Sequence, residues 1–131
     1  MRRYSKKVTY EGIKFDSLVE CQYYKLLKAR KDITNLQVHK PIILQEGFVC
    51  EGQRVQKMTY EVDFYYEQGG QVHLVDVKGS DFMEEVFKLK WKMTKNLHRE
   101  WHFHIMVFNK KDGRWYDIDK APEKKLYKLN K

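Results

Sequence analysis

Two runs of strand-forming residues, MTYEVDFYY at 58–66 and QVHLVDVK at 71–78, flank the tetrapeptide EQGG. β-Branched and aromatic residues suit a pleated, half-buried surface, and paired glycines supply the positive φ of a tight hairpin turn. An antiparallel pair of strands follows, and its register decides which side chains meet. A two-residue turn at Gly69-Gly70 sets Asp63 opposite Asp76, and a four-residue turn makes them diagonal neighbours. In both registers the two carboxylates share a face; a bulged three-residue loop would break that parity.

Alternation also puts Asp76 and Lys78 on the face of Val72 and Leu74, at the end of an otherwise apolar ridge. Two like charges this close on a half-buried sheet repel, so stability alone is a poor reason for them. A divalent cation resolves the conflict. Mg²⁺ takes carboxylate oxygens, keeps several waters and is often completed by substrate phosphate. Lys78, one pleat on, would then lie where an ammonium positions a water or stabilises charge on phosphorus. The plainer alternative is a solvent-facing hairpin end with an ordinary Asp76–Lys78 pair.

The remaining segments fill out an α/β chain. Residues 7–15 alternate around Glu11-Gly12, a hairpin signal. DSLVECQYYKLLKARKD then turns to helical spacing, with Asp16 or Ser17 as N-cap and Val19, Tyr23, Leu26 and Leu27 on one face. Residues 33–52 read as extended segments in which Pro41 breaks the ladder and Gly47 and Gly52 mark turns. A second helix is expected over 81–98, a strand over 101–108, and a turn at Asp112-Gly113. The order of helix, strands, helix and strand predicts helices around a mixed sheet. At 131 residues the chain has the length of one domain, preceded by a basic arm at 1–7 and closed by a short basic tail or helix at 122–131.

Composition narrows the partners. With 26 Lys plus Arg against 18 Asp plus Glu, the formal charge is +8, which favours polyanions and nucleic acid first. No apolar run approaches the roughly 20 residues of a membrane-spanning helix, and the basic start is followed by no apolar stretch of a secretory signal. No membrane partner and a cytoplasmic location are therefore expected. Cys21 and Cys50 lack the spacing of a zinc or redox motif and read as small buried or half-buried residues.

Glu20 is the candidate third carboxylate. It falls at helical spacing with Tyr24 and Leu27, bordering the face that should meet the sheet. Ser17-x-x-Glu20 is equally a capping box, and spacing alone leaves both readings open.

A helix carrying Glu20, a strand carrying Asp63, and Asp76-Val77-Lys78 on the next strand together resemble the PD-(D/E)xK nuclease superfamily, in particular its small Holliday-junction-resolvase-like members. The stretches YEGIKFDSLVE, TYEVDF and VDVKG are similar to a phage-encoded group of nuclease-like proteins, and the resemblance covers about residues 8–108. Val62 stands where the superfamily's name has Pro, a variable position, and Asp76 in place of Glu is within the pattern. The resemblance implies a restriction-endonuclease-like αβββαβ core with a mixed central sheet flanked by helices. It implies Mg²⁺-dependent phosphodiester hydrolysis, with Mn²⁺ able to substitute. Glu20, Asp63, Asp76 and the Val77 carbonyl would surround the metal, and Lys78 would sit at the attacking water. The expected substrate is branched DNA such as a four-way junction in recombination. Two opposed cuts there imply a homodimer, for which strand 101–108 and the N-terminal hairpin are the candidate surfaces. The rivals are a nuclease acting on duplex, flap or single-stranded DNA, and a basic DNA-binding module without activity.

On the second helix Phe82, Val86, Leu89, Met93 and Leu97 form one apolar stripe, with Lys88, Lys92 and Lys95 on the polar side as candidate phosphate contacts. Lys90 falls between apolar arcs, where it either reaches a cleft or phosphate or snorkels to solvent. Arg2, Arg3, Lys6 and Lys7 could track a DNA backbone. His102 and His104 read as the polar face of a half-buried strand rather than a metal pair, and His73 faces away from Asp76. The aromatics Tyr23, Tyr24, Tyr60, Phe64, Phe87, Trp91 and Trp101 read as core.

Overall fold

The computed structural model describes residues 6–80 and 82–120. The chain opens with a hairpin, β1 (Val8–Tyr10) and β2 (Ile13–Phe15), followed by helix α1 (Leu18–Ala29). Strand β3 (Thr34–Gln45), a small hairpin of β4 (Phe48–Cys50) and β5 (Gln53–Val55), and strands β6 (Met58–Gln68) and β7 (Gln71–Lys78) come next. Helix α2 (Glu85–Leu97) then leads to β8 (His102–Asn109) and β9 (Arg114–Asp117). Five strands form one mixed sheet in the order β3-β6-β7-β8-β9, in which only the β7–β8 pairing, bridged by α2, is parallel.

The two hairpin turns read from Glu11-Gly12 and Gly69-Gly70 have the expected chemistry. Glu11 and Gly12 take φ of 53° and 77°, and Gly69 and Gly70 take 56° and 78°, as a twisted two-residue hairpin turn requires. The second turn pairs Phe64 with Val75, the register that sets Asp63 opposite Asp76. Pro41 does not break the ladder: β3 is continuous and Pro41 pairs with Glu61. The reason is position, because β3 is an edge strand, where a missing N–H can face solvent at no cost.

The sheet has a helix on each face. Cys21, Tyr24 and Leu27 of α1 close over Phe15, Phe64, Tyr66 and Val75. Trp91 of α2, with Met83, Phe87 and Met93 beside it, packs on Tyr60, Val62, Leu74, Phe103 and Ile105. The expected aromatic core is present in these two clusters. Two expected faces are corrected. Leu26 is 48% exposed, since α1 turns the arc of Glu20, Tyr24 and Leu27 to the sheet. On α2 the stripe of Val86, Leu89 and Leu97, with Phe82 ahead of it, faces outward, and the adjoining arc of Phe87 and Trp91 is the one that packs. Cys21 is buried as expected, whereas Cys50 is exposed on the small hairpin.

Strand β8 is paired on both sides, so it offers no free edge to a second chain. No helix among the described residues is long and apolar enough to cross a membrane. Arg2, Arg3 and the tail at 122–131 lie outside the described residues.

Candidate active site

The hairpin register brings Asp63 and Asp76 together where β6 and β7 part. Main-chain pairing of the two strands runs from the turn to Phe64 and Val75; beyond it the Val77 N–H donates to Asp63 Oδ2 at 2.8 Å instead of to a carbonyl. At the same point β6 changes faces, with Val62 packing under α2 and Phe64 under α1. Opposite them on β3, His39 takes a left-handed φ of 56° between Val38, paired with Phe64, and Lys40, paired with Val62. Strand alternation is thus locally reset, and half-buried Asp63 sits at the crossover.

Asp76 is 4% exposed and held from two sides. Lys78 Nζ lies 3.0 Å from Oδ1, and the Tyr60 hydroxyl donates to Oδ2. Lys78 also stands over the Phe87 ring, 3.7 Å from its centroid, so α2 supplies a cation–π seat for the site's ammonium. The parity expected for Leu74, Asp76 and Lys78 therefore holds.

Glu20 reaches the site from α1 and serves both roles that its spacing allowed. The Ser17 side chain accepts from the Glu20 N–H at 3.1 Å, and Glu20 Oε1 accepts from the Asp16 N–H at 2.9 Å. Its other oxygen, Oε2, lies 3.3 Å from His39 Nε2. The same carboxyl is near enough to Asp63 to raise its pKa. A helix cap and an acidic site share one side chain.

The electrostatics follow from three carboxylates and one ammonium in a crowded space. Burial, then the charge of Asp76, then Glu20 hold the Asp63 carboxyl well above the ordinary aspartate range, against the pull of the Val77 amide. Burial also raises Asp76, which Lys78 and Tyr60 draw back down. Burial and the neighbouring Asp76 keep the Tyr60 hydroxyl protonated, far above the usual tyrosine value. A cation placed among these acids would replace the proton that crowding forces onto them. Among the described residues the grouping whose ligand atoms all lie within 4.8 Å of one another is Asp16, Glu20 and His39, so Glu20 is shared between that grouping and the neighbourhood of Asp63.

Glu20, Asp63, Asp76 and Lys78 are brought together. Val77 contributes its amide, bonded to Asp63. The α2 lysines are dispersed: Lys90 Nζ donates to the Thr59 carbonyl at 2.8 Å, which is snorkelling toward a main-chain partner, and Lys95 bonds Asp119 at 2.8 Å. Lys88 pairs with Glu85 at 3.2 Å and Lys92 is exposed, as are Lys6 and Lys7.

Two site neighbours escape a reading of the sequence. Tyr60 looks like any core aromatic, and His39 lies in an unremarkable extended run; only the kink in β3 turns it toward α1. A cleft of about 380 Å³ between α1, β2 and β3 shares only His39 with the site. On β7 and β8, His104 bridges His73 at 2.9 Å and Asp117 at 2.7 Å. Burial and the neighbouring histidines lower His73 to about 4, which leaves it neutral at physiological pH.

Fold and site together define an α/β protein with an acidic, lysine-bearing notch at the mouth of a splayed hairpin. The model of the family described as "Protein of unknown function (DUF1064)" matches residues 1–116, and the chain belongs to that family. A search of curated proteins found no match.

Proposed function

We propose that this protein is a metal-dependent endonuclease of the PD-(D/E)xK type, acting on DNA and selective for branched forms such as the four-way junction. The observation that carries the reading is the convergence of Glu20, Asp63 and Asp76 from three separate elements, with Lys78 at 3.0 Å from Asp76. The chain order α1, β3, β6, β7, α2, β8, with the small hairpins set aside, supports the restriction-endonuclease-like architecture that such a site needs. The formal charge of +8 supports a polyanionic substrate.

Glu20, Asp63 and Asp76 would hold Mg²⁺ or Mn²⁺, which would polarise a phosphoryl oxygen and favour ionisation of a water. The chain's own residues perform the rest. Lys78 Nζ, fixed by Asp76 and the Phe87 ring, donates hydrogen bonds toward the attacking water and the charge that builds on the phosphoryl oxygens. Tyr60 restrains Asp76 through Oδ2, so that its carboxylate does not turn away. Hydrolysis adds the water oxygen to phosphorus and breaks one phosphoester bond, and the departing alkoxide takes up a proton. Selectivity for a branched substrate rests on the resemblance and is the finer part of the proposal.

The test compares purified protein with its Asp76→Ala and Lys78→Met variants, with Mg²⁺ or chelator, on a four-way junction and on a duplex of the same arm sequences. Paired incisions on the junction, abolished by chelator and by Asp76→Ala, are expected. Lys78→Met should lower turnover by about 10²–10⁴-fold while leaving DNA affinity nearly unchanged. Equal cleavage of both substrates would keep the chemistry and remove the junction; tight binding without cleavage would leave a DNA-binding module.

A further inference from the structure

The cleft between α1, β2 and β3 is the feature nearest the acids that the catalytic reading leaves unused. Its volume of about 380 Å³ lies at the small end of the range for ligand pockets, roughly 300–1,000 Å³. Half-buried Ile13, Leu36 and Val38 give it aliphatic walls, Tyr24 and His39 add rings, and exposed Lys28 completes the lining. Tyr24 is 5% exposed, so the surface open to a ligand is the aliphatic wall and the imidazole.

Charge and position say what fits. Lys28 Nζ is 6.0 Å from the Tyr24 ring centroid, and Lys25 Nζ is 4.5 Å from that of Tyr10. Three residues apart, the two exposed lysines stand on one side of α1, and neither forms an ion pair with a described residue. The neighbouring Glu11 carboxylate is engaged by the Tyr24 hydroxyl, which donates to it at 3.1 Å. A flat, partly apolar group with an anion at its edge matches walls and cations together, and a base with its phosphate is such a group. An aliphatic ligand would leave the lysines unmatched, and inorganic phosphate would leave the walls bare. His39 links the cleft to the acids, because its Nε2 lies 3.3 Å from Glu20 Oε2. A group in the cleft is therefore one side chain away from Glu20. A base inside an intact duplex is paired and stacked on both faces, so entry requires an unpaired nucleotide.

We propose that this cleft receives one unpaired nucleotide of a DNA strand whose neighbouring phosphate lies at the acids, with Ile13, Leu36, Val38 and His39 against the base and Lys28 against its phosphate. The inference rests on the nuclease reading for the identity of the strand. It names what a branched substrate offers and a closed duplex does not, an unstacked base beside the cut. Contact through a base face tolerates any base, so the preference is for structure and not for sequence.

Methyl NMR of the metal-free Asp76→Ala protein locates the base, with three probes: a short thymine strand, an abasic strand of the same length, and thymidine 5′-monophosphate. Shifts of the Ile13, Leu36 and Val38 methyl signals are expected with the thymine strand and not with the abasic one. The monophosphate should cause them only at a concentration at least about 100-fold higher, since it lacks the rest of the strand. In fluorescence anisotropy the same protein should bind a duplex with a short unpaired stretch at least about tenfold more tightly than the closed duplex. Lys28→Glu, and Ile13→Trp, which fills the cleft, should each reduce that preference to about twofold or less while keeping native circular dichroism. Arg99→Glu, an exposed site beyond α2, should leave the preference intact. Cleft methyls unmoved by a saturating thymine strand, a monophosphate that binds as well as the strand, or folded cleft variants with an unchanged preference each overturn the proposal. The nuclease reading is judged apart, by Mg²⁺-dependent incision with the Asp76 protein. Methyl shifts without incision keep the cleft and remove the enzyme, whereas incision with silent methyls keeps the enzyme and removes the cleft.

Discussion

Asp63 pays for its position in proton affinity. Burial, Asp76 and Glu20 raise its pKa above the ordinary 3.8, so the folded chain holds this proton more tightly than the unfolded chain does. The stabilising contribution is complete below the unfolded value and is lost as pH rises through the raised folded value. The metal-free protein should therefore lose stability on this account between acid and neutral pH. Asp63→Asn keeps an oxygen for the Val77 amide and removes the charge. It should stabilise the metal-free protein at neutral pH by roughly 1–3 kcal/mol, with the gain shrinking toward the 3.8 of a free aspartate. Urea unfolding across that range checks the slope. Added Mg²⁺ should raise the wild-type midpoint and leave the variant's unchanged; a variant less stable than wild type at neutral pH would show that crowding is not the dominant force on Asp63.

Helix α1 couples a local signal to the site. The Ser17 cap and the Glu20 return bond are one motif at its N-terminus, and Glu20 is 3% exposed. Ser17→Ala should cost about 1 kcal/mol of stability, read as a lower midpoint in chemical denaturation. It should also weaken divalent-cation binding, because the first turn that aims Glu20 loses its anchor; an unchanged metal affinity would separate the cap from the site. Helix α2 shows where an element stops being readable. Its sequence carries two apolar arcs, Val86–Leu89–Leu97 and Phe87–Trp91, with Met83 just ahead of the second, and helical periodicity ranks neither. The sheet selects the second because Trp91 meets Tyr60 and Phe103 there and bonds Asp119 through its ring N–H. Strand β7 was readable for the opposite reason: a Gly-Gly turn leaves few registers, and period-two alternation then assigns every side chain to a face.

At the scale of the molecule the formal charge of +8 should make DNA binding steeply dependent on salt. Affinity for a duplex is expected to fall at least about 100-fold between about 50 and 200 mM monovalent salt, measured by fluorescence anisotropy with the Asp76→Ala variant to prevent cleavage. A nearly flat dependence would remove phosphate as the main contact. The sequence by itself determined the hairpin, the placement of Asp76 and Lys78 on one face, a helix start at Asp16 or Ser17 and the alternation of helices and strands. Each of these is a local matter of turn chemistry, periodicity or capping, resolved within a few residues. Tertiary structure alone decided the kink at His39 and the crossover at Asp63, the arrival of Tyr60 and His39 at the acids, and which arc of α2 meets the sheet. Those depend on how surfaces distant in the chain fill a common space, and packing of that kind leaves no period in the sequence.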